Sequence, residues 1–166
     1  MSDIEARVIE VLDGLGGEYE VVRIDPQYAD TAEFCSEYGY QLGDCGNTIV
    51  VASKRPRGRY SVCIVRGSDR LDVNKTVKRL MGVSRLSFAS LEETVQLTGM
   101  EIGGVTPFAL TEEIPIYVDD KLMNLDYVIL GSGDRLSKIK ASPRVLRQLP
   151  NAEIIVGLSL EMPSGD

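Results

Sequence analysis

The chain has 166 residues, 43% hydrophobic and 26% charged, enough for a substantial core and ordinary for a globular protein. No apolar run approaches the roughly 18 residues that a membrane span needs, and the acidic start Met1-Ser2-Asp3-Ile4-Glu5 is helical in pattern, unlike a signal peptide. Net charge is −7, histidine is missing, and the three cysteines (Cys35, Cys45, Cys63) form no C-x-x-C pair, which argues against a zinc site, a disulfide framework and histidine-based chemistry.

These features predict one domain over residues 1–166, working in a reducing cytoplasm without metal or cofactor. Ser2-Asp3 is placed to cap a helix with Ile4, Val8, Val11, Leu12 and Leu15 on one face, stopped by Gly14, Gly16 and Gly17. Glu20 to Ile24 reads as a strand, and Thr31 as the cap of a short helix through Tyr38. The aromatics Phe34, Tyr38 and Tyr40 either pack the core or edge a pocket. Cys45 to Ala52 is apolar enough for a strand buried on both faces, turning through Lys54 to Arg59 into a hairpin partner at Tyr60 to Arg66. A helix is predicted over Asn74 to Met81, with Val73, Val77 and Leu80 inward and Lys75, Lys78 and Arg79 outward. Leu86 to Ala89 is a short strand, and Ser90-Leu91-Glu92-Glu93 opens a helix with a capping box. The second half is strand-rich: Ile114 to Val118, Tyr127 to Leu130, Ser137 to Ala141 and Glu153 to Gly157, with a helix at Arg144 to Leu149. Hairpins alternate with strand–helix–strand units. The expected class is therefore α/β (α+β), a mixed, largely antiparallel curved sheet surrounded by helices.

Charge is unevenly spread. Lys54 to Arg85 carries ten Lys/Arg against two Asp, whereas Met1 to Asp44 has eleven acids against two Arg. A basic segment in an acidic chain offers a landing surface for phosphates; the alternative is a solvated face paired with the acidic segments. Between the Ser90 helix and the next strand lies Thr98-Gly99-Met100-Glu101-Ile102-Gly103-Gly104-Val105-Thr106-Pro107-Phe108. Adjacent glycines admit positive φ or a close backbone neighbour, and Pro107 stiffens the chain beyond them. Such a loop has amides able to bind an anion or a polarised carbonyl, unless it is an ordinary turn.

Four pieces in this order resemble the YbaK/prolyl-tRNA synthetase-associated editing domains. They are the strand Asn47-Thr48-Ile49-Val50-Val51, the lysine-rich run Asn74 to Gly82, the G-x-x-x-P loop Gly103 to Pro107, and the closing strands Ile116 to Asp119 and Val128 to Lys140 with Gly131-Ser132-Gly133 between. The resemblance spans roughly Thr31 to Leu160. It implies a trans-acting deacylase that hydrolyses the ester of a tRNA mischarged with a small amino acid, of the Ala- or Cys-tRNA type. The partners it implies are the tRNA acceptor end and an aminoacyl-tRNA synthetase. Such an ester is already activated and the neighbouring ribose hydroxyl helps to position water, so the protein chiefly holds groups and excludes larger side chains.

By this resemblance Gly103 and Gly104 supply amides to the reacting carbonyl, with Val105, Thr106 and Pro107 completing the grip. Gly131, Ser132 and Gly133 form the opposing wall, and Asp119 positions water or substrate. Lys54, Arg55, Arg57, Arg59, Lys75, Lys78 and Arg79 hold the acceptor end. The departure is at Asn47, where the family carries its functional lysine. An amide hydrogen-bonds but brings no charge. Three readings are open: an editing hydrolase with a changed pocket, a binding module for a tRNA end or aminoacyl-nucleotide that lost its chemistry, or a hydrolase of another acyl ester. Ser132 has no histidine to activate it and is not read as a nucleophile, and Cys45 is read as a buried thiol.

Overall fold

The computed structural model describes residues 1–162. Helix α1 (Asp3–Leu15) starts where the Ser2 hydroxyl accepts the Glu5 N–H at 3.2 Å and stops at Gly16, whose φ of 70° suits glycine. Strand β1 (Tyr19–Arg23) leads through a 3-10 turn at Pro26–Tyr28 into α2 (Thr31–Tyr38). Asp30, not Thr31, occupies the N-cap position of α2; the Thr31 hydroxyl is turned instead toward Asn47.

Strands β2 (Gly46–Arg55) and β3 (Arg57–Arg66) form the long hairpin foreseen from their apolar runs, in register from Gly46–Arg66 to Ala52–Tyr60 and shifted by a bulge before the Lys54–Arg57 pair. Strand β4 (Asp69–Leu71) follows. The helix expected at Asn74 to Met81 is two pieces: a π-turn at Val73–Val77, closed by the Val77 N–H on the Asp72 carbonyl at 3.1 Å, then one α-turn, α3 (Lys78–Met81). The Thr76 hydroxyl donates to the Asp72 carboxylate at 2.7 Å, drawing the first turn wide. Next come β5 (Arg85–Phe88), α4 (Leu91–Thr98) with its capping box on Ser90 and Glu93, β6 (Ile116–Asp119), β7 (Val128–Gly131), β8 (Ser137–Ala141), α5 (Arg144–Gln148), β9 (Ala152–Ile155) and β10 (Ser159–Glu161).

The strands divide among three sheets rather than one: a five-stranded mixed sheet β5-β2-β3-β6-β9, an antiparallel sheet β1-β8-β7, and the pair β4-β10. Both members of that pair are three residues long, too short for an alternating pattern to mark them. Residue alternation along β2 and β3 sends Val50, Val62 and Ile64 into the main core, with Val8 and Leu12 of α1, Leu130, Ile139 and Leu146. Val51, Cys63 and Val65 face a second core under Val73, Val77 and Met81. A third cluster, Phe34, Cys35, Cys45 and Ile129, lies under α2. A parallel bridge, Cys45 to Ile129, ties the entrance of β2 to β7, and the two larger sheets part beyond it. The first half of β2 (Gly46 to Ile49) is consequently half-exposed, not buried on both faces as its composition suggested; the second half, Val50 to Ser53, is buried.

Candidate functional site

Where the sheets part lies a cavity of about 290 Å³. Cys45 to Val50 line it from β2, Ile129 to Gly131 from β7, and Lys138 from β8. Thr31 and Phe34 of α2, the loop residues Ile102, Gly103 and Val105, and Phe88, Ala89, Leu91 and Thr94 complete the lining. Its volume is at the lower end of small-molecule sites, which run to roughly 300–1,000 Å³.

The loop wall is held by backbone. The Gly133 N–H donates to the Gly104 carbonyl at 2.7 Å, the Glu101 N–H to the Gly133 carbonyl at 2.9 Å, and the Gly104 N–H to the Glu101 carbonyl at 2.9 Å. A Cβ on Gly104 would overlap the Asp134 backbone, and one on Gly131 the carbonyl oxygens of Gly104 and Val105. Gly104 and Gly131 are thus explained by two loops pressed backbone to backbone, and Gly103 by its φ of 92°. The Gly104 amide is spent inside its own turn, while the Gly103 and Val105 amides have no acceptor among the described residues. Arg135 grips the same loop, donating to the Ile102 carbonyl at 2.8 Å and to Asp30 at 3.1 Å.

Lys138 was not singled out from the sequence. Its Nζ donates to the Gly103 carbonyl at 2.8 Å and stands 5.8 Å from the centre of the Phe34 ring, itself stacked between Tyr38 and Tyr40. Only 6% of the residue is exposed, and burial draws its ammonium down to about 8. The signal available was alternation in β8: Ile139 and Ala141 enter the main core, so Lys138 and Lys140 share the opposite face. That Phe34 of α2 covers one of them while the other lies half-exposed over Tyr40 and Tyr127 is a tertiary fact. The Cys45 thiol, 3.4 Å from Cys35, is pushed well above its ordinary range by burial, consistent with an inert core thiol.

The other expected residues divide. Asn47 lines the cavity, its side-chain oxygen accepting from Thr31 at 2.8 Å. Gly103, Val105 and Gly131 line it too. Asp119 does not: its buried carboxylate caps the turn at Lys121 (3.2 Å) and accepts from the Ser159 hydroxyl, at the far end of β6. Ser132 is also outside the lining, donating to the Ser137 carbonyl at 3.0 Å and accepting from the Ser137 hydroxyl at 2.8 Å. Gly133 packs against Ile4 of α1, and Thr106 and Pro107 are buried as the chain dives toward Phe108 in the core.

Lys54, Arg55, Arg57, Arg59, Lys75, Lys78 and Arg79 are all exposed. The structure joins hairpin and helix: Arg59 donates to the Met81 carbonyl at 2.7 Å, and the Ser84 N–H to the Arg55 carbonyl at 3.1 Å. Lys54 approaches Glu93, beside the cavity residues Leu91 and Thr94, at 3.9 Å. From Asn47, however, it lies seven residues along a continuous strand, about 23 Å, so it does not replace a cation at position 47.

Residues 25–149 match the sequence profile described as the aminoacyl-tRNA editing domain. The chain belongs to that family. Among its relatives, the Bacillus subtilis protein YwhH is 26% identical over 82% of this chain and 85% of its own. A candidate Cys-tRNA(Pro)/Cys-tRNA(Cys) deacylase of Enterococcus faecalis, EbsC, is 24% identical over 55% of this chain and 56% of its own. The proline–tRNA ligase of Bacillus licheniformis is 31% identical over 57% of this chain but 16% of its own length. A crystal structure of a candidate trans-editing enzyme for prolyl-tRNA synthetase superposes with a TM-score of 0.79 at 28% identity, covering 94% of this chain and 97% of that one. That of the hypothetical protein APE2540 gives 0.82 at 27% identity, covering 93% and 99%. The editing domain therefore keeps the family fold, with a glycine-walled cavity and with Asn47 where the resemblance puts lysine. Among its described residues no helix is long and apolar enough to cross a membrane.

Proposed function

We propose that this editing domain acts in the cytoplasm as a trans-acting deacylase, freeing a small amino acid from the 3′ end of a mischarged tRNA. The observation that carries the reading is the cavity at the sheet seam, walled by Gly103, Val105 and Gly131 and floored by the apolar residues of β2 and α2. A glycine wall leaves no side chain to grip a large acyl group, and a volume of about 290 Å³ suits a small one. The unpaired amides of Gly103 and Val105 are the donors available to an ester oxygen that gains charge. Asn47 at the mouth of β2 offers a neutral donor for ribose or phosphate, and the neighbouring ribose hydroxyl helps to orient water. The basic hairpin, the π-turn and α3 receive the acceptor stem, whose charge their Lys54, Arg55, Arg57, Arg59, Lys75, Lys78 and Arg79 complement.

The test is deacylation of a panel of correctly and wrongly charged tRNAs by wild type and Asn47→Lys. Release of one small amino acid by the wild type is the expected result. Activity confined to Asn47→Lys would instead identify a binding module that has lost its chemistry. If both proteins, shown to be folded, leave every ester intact, the tRNA reading fails.

A further inference from the structure

Resting on the deacylase reading, we propose that Lys138 is the residue that takes the proton from the attacking water, and so is catalytic rather than a structural pin. Among the described cavity residues it is the sole side chain that is charged or exchanges protons near neutrality. Cys45, the other ionisable one, holds its proton. The whole chain has no histidine, and Asp119, the carboxylate expected to position water, is committed elsewhere.

The surroundings of Lys138 lower its proton affinity, so that a fraction of the amine is neutral at working pH. Its Nζ stands 5.8 Å from the centre of the Phe34 ring and gives one N–H to the Gly103 carbonyl at 2.8 Å, and the residue lines the cavity. The charged and titratable groups facing it are Asp30 and Arg135, which pair with each other at 3.1 Å, and the thiols of Cys45 and Cys35. Asp30 raises its proton affinity and Arg135 lowers it, so burial decides, and the ammonium is held only to about pH 8. A lysine brought to this range serves as a general base.

The step balances without another reagent. The water oxygen bonds to the acyl carbon while its proton passes to the Lys138 amine, and the carbonyl oxygen carries the negative charge toward the Gly103 and Val105 amides. Collapse of that intermediate breaks the bond to the ribose oxygen, which leaves with the proton from Lys138. The products are the free amino acid and intact tRNA, and Lys138 is again neutral.

The experiment is the pH dependence of kcat/KM for wild type, Lys138→Arg and Lys138→Met on the best charged tRNA, with uncatalysed hydrolysis subtracted. Carbon and nitrogen NMR of labelled lysine follows the Lys138 titration in parallel. The expected wild-type profile rises tenfold per pH unit and levels near 8, with the NMR midpoint at the same pH. Arginine keeps a donor for the Gly103 carbonyl but cannot shed its proton, so Lys138→Arg should fall about 100-fold or more, as should Lys138→Met. Hydrolysis by both variants within about fivefold of wild type, a flat profile, or a Lys138 midpoint near the ordinary 10.5 overturns the proposal. The profile and the NMR titration need no variant, so poor folding of one does not remove the test. An active wild type with equally active variants sinks this role alone; a wild type silent on every charged tRNA sinks the deacylase reading beneath it.

Discussion

Residue by residue, the cavity keeps one charge at a cost to stability. Lys138 holds its proton only to about pH 8 when folded, against 10.5 when exposed, so between these values the unfolded chain binds more protons and stability rises with pH. Below pH 8 the full penalty is present, on the order of 3 kcal/mol. Cys63 and Cys45 have the opposite sign: burial pushes the Cys63 thiol from 9.0 up to about 12 and raises the Cys45 thiol as well, so above pH 9 the folded state keeps two protons that the unfolded chain loses, against the one that Lys138 has shed. Urea unfolding from pH 6.5 to 10 should therefore show stability climbing from pH 8, cresting near 9 and declining beyond. In Lys138→Met the climb should vanish while the alkaline decline stays. The sequence exposed Asn47 as a departure because the resemblance supplied a position to compare. It gave no such handle on Lys138, whose neighbours in chain, Ser137 and Ile139, face away from the cavity.

At the scale of elements, the Gly103-Gly104 loop and the Gly131 strand end stand or fall together, since each denies the other room for a side chain. Gly104→Ala should destabilise the fold by about 2–4 kcal/mol, as a backbone overlap that neither side can yield to, and should lower deacylation even where the protein stays folded. Gly99→Ala is the control: it ends α4 at φ 70° with open space around it, so it should cost about 1 kcal/mol of stability and leave the cavity intact. Denaturant midpoints beside single-turnover rates separate the two. Elements with their own periodicity or caps were legible, among them α1, the β2–β3 hairpin, α4 and β8. What escaped was set from a distance: the π-turn, whose Thr76 hydroxyl also reaches the Gly157 carbonyl, the short β4–β10 pair, and the seam that leaves Gly46 to Ile49 half-exposed. The surroundings of Asp119 and Ser132 escaped for the same reason, since only tertiary contact with Ser159 and Ser137 reveals where their polar atoms are spent.

For the whole molecule, an acidic chain of net charge −7 carries a cluster of exposed cations on the hairpin tip, the π-turn and α3. Reversing Arg57, Lys75, Lys78 and Arg79 to glutamate together should raise KM for charged tRNA at least tenfold and flatten its dependence on salt. Hydrolysis of a minimal aminoacyl-adenosine, which does not reach that surface, should be unchanged; a parallel loss there would place these residues in the fold or the cavity instead. The seam has a further consequence for how this architecture diversifies. Gly46 lies against Leu130, Ile64 and Val128, where one methyl group would act as a shim between the sheets. A lineage built on this scaffold can therefore change gauge, admitting a broader or narrower acyl group, by substitutions at Gly46 and its apolar neighbours, while every polar group around the ester stays as it was.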